Sequence, residues 1–289
     1  MSRPIRKAVF PVAGLGSRFL PATKVMPKEM LTLVDKPLIQ YAVEEARAAG
    51  IEQFAFVTSR GKTLIEDHFD SHYELYDTLA NRGKDAELAL AKDTEIEAGD
   101  LAMMRQHTPL GLGHAVWCAR EFIGDDPFAV ILPDDVILSG TSALKQMVDA
   151  YNNVGGNLVA VEEVPMDQVH RYGILDVDQD DGTLASAKGL VEKPKREDAP
   201  SNLSIIGRYI LQPEIFKILD KRETGAGGEI QLTDAIAQLI GPMPFHGFRF
   251  DGTRYDCGNK AGFVAANLAF ALSRDDLADD VRSAIADVV

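Results

Sequence analysis

The chain has 289 residues, of which 46% are hydrophobic and 26% charged, and its formal net charge is -14. This is the composition of an ordinary globular protein with a substantial core, in one large domain or two small ones. The acidic balance disfavours non-specific binding to nucleic acid or to a membrane surface. Two cysteines without redox or metal spacing, no signal-peptide pattern and no membrane-length apolar run predict a soluble cytoplasmic protein.

The first half of the chain alternates strand and helix patterns. The sequence predicts strands at residues 7–13, 54–58, 101–106 and 128–135, and helices at 37–49, 61–69, 72–91 and 111–123. The run FAVILPDD (128–135) is apolar up to two aspartates, which is typical of a parallel strand buried on both faces. We therefore predict an α/β fold, a Rossmann-like three-layer sandwich with a mixed, mostly parallel central sheet.

The pattern changes after about residue 155. Strands with short connections are predicted for NLVAVEEV, YGILDV and LSIIGRYIL, and the turn DQDDG (178–182) indicates a hairpin. The helical stretches IQLTDAIAQLI and AGFVAANLAFALSRDD follow. Because no flexible linker separates the halves, we expect the second half to complete one site rather than to form an independent module.

Cations gather at the beginning of this acidic chain. Residues 1–36 hold seven lysines or arginines and only two acidic residues. The loop GLGSR (14–18) follows the first strand, and Lys24 and Lys28 come next, between prolines. Phe19 excludes a dinucleotide-binding G-x-G-x-x-G fingerprint, and no phosphate-loop ATPase motif is present. Glycine lets the backbone approach a phosphate, and Arg and Lys neutralise it, so this segment predicts a polyphosphate site.

The segment AGLGSRFLPATKVMPKEML (13–31) resembles the sugar-phosphate nucleotidylyltransferases. Further stretches narrow the resemblance to the bacterial UTP–glucose-1-phosphate uridylyltransferase family, and they span nearly the whole chain. They are GLGHAV (111–116), ILPDD (131–135), VEKP (191–194), APSNLSIIGRY (199–209), GEIQLTDAI (228–236) and DCGNKAG (256–262). Ser17 stands where the family more often has threonine, and residues 73–100 and the acidic C-terminus match no functional motif.

The resemblance implies that UTP and glucose 1-phosphate give UDP-glucose and pyrophosphate by in-line attack of the sugar phosphate on the α-phosphorus. It also implies Mg²⁺ held by Asp134 and Asp256, with the adjacent Asp135 as the rejected alternative. A phosphate monoester is mostly dianionic at neutral pH, since its second pKa is about 6. The nucleophile therefore needs no obligatory general base, and catalysis rests on positioning and charge neutralisation.

The family motifs assign further roles along the chain. The expected catalytic cations are Arg18, Lys28 and Lys193. The expected nucleotide-binding residues are Ala13, Gly14, Gly16, Gln106 and Gly111. The expected sugar-binding residues are Tyr172, Gly173, Glu192, Lys193 and Asn202, with Thr233 as a weaker candidate. A glutamine amide carries a donor and an acceptor, so Gln106 is expected to pair with adjacent groups on the uracil edge. His114 and Trp117 are expected to be structural residues on a packed helix.

The resemblance implies one nucleotidyltransferase domain over 1–289, with a nucleotide-binding half at about 1–150. A sugar-binding half at about 151–257 and a helical segment at about 258–289 complete it. A homodimer or homotetramer is implied as well. Two alternatives stay open: a thymidylyltransferase that uses dTTP, because thymine adds only one methyl group, and a non-catalytic UDP-sugar-binding regulator.

Overall fold

The computed structural model describes residues 3–288. The strands are β1 Lys7–Pro11, β2 Thr32–Leu33, β3 Lys36–Pro37, β4 Gln53–Thr58, β5 Leu101–Arg105, β6 Phe128–Ile131, β7 Asp135–Leu138, β8 Asn157–Glu163, β9 Gly173–Asp180, β10 Leu184–Glu192, β11 Leu203–Leu211, β12 Phe245–Phe248 and β13 Thr253–Asp256. The helices are α1 Leu38–Ala48, α2 Thr63–Phe69, α3 Tyr73–Asn81, α4 Asp85–Asp93, α5 Leu112–Cys118, α6 Arg120–Ile123, α7 Ala143–Val154, α8 Ile215–Leu219, α9 Leu232–Ala237, α10 Lys260–Leu272 and α11 Ala278–Val288. Within this described range, no helix is long and apolar enough to cross a bilayer.

The central sheet draws strands from both halves of the chain. Within residues 3–288 its order is β5-β4-β1-β6-β11-β8-β12-β10-β9. The first four of these strands are parallel to one another, and β12 is parallel to β8. The strands β11, β10 and β9 join antiparallel to their neighbours. The prediction of a mixed α/β sheet is confirmed, and the parallel character is concentrated in the first half.

Helices cover both faces of this sheet. Along β1 the side chains alternate, so that Val9 belongs to one hydrophobic core while Ala8 and Phe10 belong to the other. The first core includes residues of α5, α8 and α9, and the second includes residues of α1, α2 and α7. Burying one such Val, Leu, Ile or Phe side chain contributes about 1.5–3 kcal/mol relative to exposure. These two cores make the predicted three-layer sandwich.

The β9–β10 hairpin is confirmed at the predicted turn, where Asp181 Oδ1 accepts hydrogen bonds from the backbone N–H groups of Thr183 and Leu184. A second small sheet pairs β13 with β7 and sets Asp256 opposite Asp135. Because Asp134 immediately precedes β7, this pairing brings the two candidate metal ligands to the same edge of the molecule.

Several element boundaries differ from the sequence predictions: two predicted helices are each divided, and one predicted strand ends early. The helix predicted at 72–91 is two helices, because Gly83 adopts φ 66° between α3 and α4. The helix predicted at 111–123 is divided at Ala119 into α5 and α6. The strand predicted through residue 135 ends at Ile131, since Pro133 has no N–H for a ladder, and Asp135 begins β7 against a different partner.

Candidate active site

The glycine loop closes around the side chain of Lys28. Gly16 has φ 67°, and a Cβ there would lie 3.1 Å from Lys28 Cβ and 3.3 Å from Thr23 Cβ. Thr23 Oγ1 donates a hydrogen bond of 2.7 Å to the Gly16 carbonyl and fixes the turn. A Cβ on Gly14 would meet Lys28 Cε at 3.6 Å. Glycine at position 16 is therefore required by both its left-handed backbone and this close approach.

Lys28 forms an ion pair with Asp134. Its Nζ lies 2.6 Å from Asp134 Oδ2, and the two side chains are 23% and 24% exposed. Burial opposes the ammonium form, but the neighbouring Asp134 and Glu29 carboxylates outweigh it and raise the pKa of Lys28. Burial likewise opposes the carboxylate form, and Lys28 outweighs it and lowers the pKa of Asp134. Both groups are therefore charged at neutral pH.

Asp134 and Asp256 face one hollow above Gly258. A Cβ on Gly258 would lie 2.9 Å from Asp256 Oδ1, 3.0 Å from Asp134 Oδ2 and 3.5 Å from Arg18 Nη1. The two carboxylate oxygens are thus within about 6 Å of each other. The Cys257 N–H donates a hydrogen bond of 2.7 Å to the Asp134 carbonyl and joins the two segments.

This hollow suits a divalent cation that also binds substrate phosphates. Within residues 3–288 no group of three or more His, Cys, Asp or Glu side chains could hold a metal alone. Two carboxylates with phosphate oxygens and waters completing the shell match the coordination that Mg²⁺ prefers. The absence of a side chain at Gly258 leaves the room between the carboxylates open.

A cavity of about 450 Å³ extends from this hollow and contains the expected sugar-binding side. The predicted residues Tyr172, Gly173, Glu192, Lys193 and Thr233 line it, together with Arg18, Asp134 and Asp256. Lys193 adopts φ 48°, and its Nζ lies 2.8 Å from Glu192 Oε1. Asn202 does not line the cavity, and its carbonyl accepts a hydrogen bond from Val164 N. The structure therefore brings together all the predicted sugar-site residues except Asn202.

The expected base-binding residues lie at the carboxyl ends of β1 and β5. The Ala13 carbonyl accepts a hydrogen bond of 3.0 Å from Ser59 Oγ. Gln106 is buried, and its Nε2 contacts the Gly111 carbonyl at 3.1 Å and His114 Nδ1 at 3.0 Å. Both N–H groups of the amide are thereby used. Gln106 has only Oε1 left for a ligand, whereas the sequence predicted a donor and an acceptor.

Gly111 is required by packing between chain segments. A Cβ there would lie 2.8 Å from both Glu229 Cβ and the Ile230 carbonyl oxygen, and the backbone φ is 107°. Ile230 N also donates a hydrogen bond of 2.7 Å to the Leu110 carbonyl. This packing alone explains why position 111 is a glycine. A contact between Gly111 and the nucleotide therefore stays a prediction.

Sequence reasoning missed two arginines that line the cavity, Arg171 and Arg254. Arg171 Nη2 lies 3.3 Å from Asp256 Oδ2. Arg254 pairs with Asp135 at 2.6 Å, and both side chains are at least nine-tenths buried. Asp135 also lines the cavity, but its Oδ2 accepts a hydrogen bond from Gly207 N and its Oδ1 pairs with Arg254, whereas Asp134 Oδ2 faces the hollow at Gly258.

Behind the Lys28–Asp134 pair lies a second ion pair that the sequence did not predict. Lys62 Nζ is 2.6 Å from Glu29 Oε2, and these side chains are 7% and 0% exposed. Burial raises the pKa of Glu29 and lowers that of Lys62, and each partner only partly opposes the effect. An acidic residue directly before the apolar pair Met30-Leu31 in PKEML was the available signal.

The family model described as nucleotidyl transferase matches residues 7–272 of this chain. The chain belongs to the nucleotidyl transferase family. A similar protein from Komagataeibacter xylinus, named UTP–glucose-1-phosphate uridylyltransferase, is 57% identical over 260 residues, covering 90% of this chain and 92% of that protein.

Solved structures of similar proteins also match this chain. The UTP-bound UGPase from Acinetobacter baumannii is 42% identical with a TM-score of 0.90, covering 99% of this chain and 100% of that chain. A UDP-glucose pyrophosphorylase complexed with UDP-glucose is 44% identical with a TM-score of 0.84, covering 93% and 100%. These comparisons confirm the family resemblance and the fold that the sequence predicted.

Proposed function

We propose that this chain transfers a uridylyl group from UTP to glucose 1-phosphate and releases pyrophosphate. The observation that carries the proposal is the convergence of Asp134, Asp256 and Arg18 on one hollow beside a cavity lined by Glu192 and Lys193. Two anionic substrates have to meet there, and these cations and carboxylates suit their phosphates. The relatives named uridylyltransferase and the UTP- and UDP-glucose-bound structures support the choice of substrates.

The sugar phosphate oxygen attacks the α-phosphorus of UTP, and the bond to the β-phosphate oxygen breaks. The dianionic nucleophile needs no deprotonation, so the chain supplies position and charge rather than a base. Within residues 3–288 no histidine lines the cavity. Arg18 is proposed to hold the phosphates that leave as pyrophosphate, Lys28 to contact the reacting end, and Lys193 to neutralise the sugar phosphate.

Asp134 and Asp256 are proposed to hold Mg²⁺, and the bound cation would neutralise and align the phosphates. Before that, each carboxylate has a protein cation as its partner, Lys28 for Asp134 and Arg171 for Asp256. Tyr172 and Glu192 are proposed to contact the sugar, and Ala13, Gly14, Gly16 and Gln106 the nucleotide.

We also propose a single domain and a homo-oligomer. The nine-stranded sheet, formed within the described residues, takes strands from both halves and supports one folding unit. Helix α10 leaves Val264 58% and Leu268 41% exposed, and burying these side chains against a second copy would be favourable. Light scattering on the purified chain tests the oligomer, and a monomer at all concentrations would contradict it.

The deciding experiment is pyrophosphate release from glucose 1-phosphate with UTP, dTTP, ATP, CTP and GTP, each with Mg²⁺ and with EDTA. We expect turnover with UTP that disappears in EDTA. A preference for dTTP would keep the mechanism and replace the base assignment. Binding of UDP-glucose by a folded protein without any turnover would support a regulatory protein instead.

A further inference from the structure

The amide of Gln106 has a defined orientation because of its two partners. The Gly111 carbonyl can only accept, so it must face the amide nitrogen, at 3.1 Å. The second N–H of the same nitrogen faces His114 Nδ1 at 3.0 Å. Gln106 Oε1 receives no hydrogen bond from the described residues, and it is not among their fully buried unpartnered atoms. The oxygen is therefore the atom that remains for a ligand.

The same contacts determine which ring nitrogen of His114 carries the proton. Since Nδ1 accepts from Gln106, the neutral ring must carry its proton on Nε2. Burial, together with the charge of Arg222, lowers the pKa of His114, which keeps the ring neutral. The ring is stacked on Trp117 with centroids 5.6 Å apart, and Gly113 N holds the helix to the Ile230 carbonyl at 2.9 Å. The stacking on Trp117 and the hydrogen bond of Gly113 thus both hold His114 Nδ1 in place.

We propose that His114 is a specificity-determining positioning residue, which takes the second N–H of Gln106 so that this amide offers the nucleobase only an acceptor. The inference rests on the proposed function, in which Gln106 meets the base of the nucleoside triphosphate. A uracil ring presents an N3–H donor, which suits Gln106 Oε1. A cytosine ring has a lone pair at N3, so two acceptors would face each other in a buried place, at a substantial cost.

Removing the acceptor at position 114 should relax this selection. The second N–H of Gln106 would then lack a partner, and the amide could rotate to direct it toward the base. UTP would lose part of its preferred acceptor, and CTP would gain a donor. A residue with a merely structural role would instead weaken both nucleotides alike, since neither base would depend on the direction of the amide.

The test compares kcat/KM for UTP and CTP in the full-length wild type, His114→Phe and His114→Asn. Phenylalanine keeps an aromatic ring beside Trp117 but has no acceptor, whereas the asparagine Oδ1 can replace Nδ1. We expect His114→Phe to lower the UTP/CTP ratio about tenfold or more and His114→Asn to retain most of it. An unchanged ratio, or an equal loss with both nucleotides, overturns the inference. A wild type without UTP turnover overturns the proposed function instead.

A second measurement does not depend on whether the His114→Phe variant folds. Nitrogen-15 spectra of the wild-type histidine rings, assigned with His114→Asn, report which nitrogen of His114 carries the proton. We expect protonation at Nε2 alone, and a proton on Nδ1 overturns the inference. The chain has one tryptophan, and Trp117 lies against His114, so its fluorescence gives an independent titration of UTP and CTP binding.

Discussion

Lys28 Nζ lies 2.6 Å from Asp134 Oδ2, although the two residues are 106 positions apart in the chain. The pair joins the glycine loop to the turn that follows β6, and so connects the expected triphosphate site to the expected metal site. A carboxylate with its own counter-ion can stay charged in a half-buried position before any metal arrives. The same pair means that a substitution of either residue affects both sites.

Replacement of Asp134 by asparagine should abolish turnover while the fold remains. The amide keeps the shape of the side chain but removes the charge that a divalent cation needs, so we expect a loss of about 10²–10³-fold or more. Pyrophosphate release measures the loss, and far-UV circular dichroism checks the fold. The control is Asp93→Asn, whose exposed carboxylate makes no hydrogen bond or ion pair within residues 3–288, although its backbone carbonyl accepts one from Arg47. Near-normal turnover in Asp134→Asn would contradict the proposal that Asp134 binds the metal.

Replacement of Gly258 by alanine should obstruct the hollow between the two carboxylates. The new methyl group would be 2.9 Å from Asp256 Oδ1 and 3.0 Å from Asp134 Oδ2, so both carboxylates would have to shift away from it. We expect weaker Mn²⁺ binding in a titration by electron paramagnetic resonance, and a higher Mg²⁺ requirement in turnover. Gly140→Ala is the matched control, because nothing lies within 4 Å of its added Cβ. Equal Mn²⁺ affinity in both variants would contradict the shared hollow.

The buried Glu29–Lys62 pair should make the two single substitutions costly and the double substitution mild. Lys62→Met leaves the Glu29 carboxylate buried without its cation, and we expect a loss of about 3–5 kcal/mol in the free energy of unfolding. Adding Glu29→Gln should recover most of that loss. Urea unfolding measures all three variants. The control is Lys84→Met, which breaks a half-exposed pair with Glu87 and should lower the free energy of unfolding far less, because solvent screens an exposed pair. Additive losses from the two substitutions would contradict the coupling.

His246 should contribute to a loss of stability in acid. It lies in β12, its Nδ1 is buried without a partner among the described residues, and burial lowers its pKa. The native state therefore resists protonation that the unfolded chain accepts below about pH 6.5. Stability present above that pH is lost as the pH falls toward the folded pKa. We expect the wild type to lose more unfolding free energy than His246→Phe between about pH 7 and about pH 5. Parallel profiles of the two proteins would refute this.

The sequence predicted the elements whose cause is local. Helix α1 follows the apolar spacing of residues 37–49, and the β9–β10 hairpin follows the turn DQDDG. The separate strand β7 was missed, because it pairs with β13, more than a hundred residues later. Local periodicity carries no information about such a partner.

The same distinction applies to the site. Arg18, Asp134, Asp256 and Lys193 follow strand ends or motifs, and the structure brings them to one hollow and its cavity. Arg171, Arg254 and Lys62 were missed because their roles depend on partners far along the chain. Arg208, within the apolar run LSIIGRYIL, was a readable signal of a buried charge network, and it pairs with Glu45 at 2.8 Å.

The place of β11 has a consequence for how the chain is synthesised. This strand lies between β6 and β8, and its Arg208 neutralises Glu45, a residue made 163 positions earlier. Until the ribosome has released residue 211, β6 therefore has an open edge and Glu45 lacks its counter-ion. An exposed apolar edge of this kind favours aggregation. The first half of the chain therefore cannot complete its sheet until β11 has been synthesised. A gene truncated before β11 should give insoluble protein rather than a working half-enzyme.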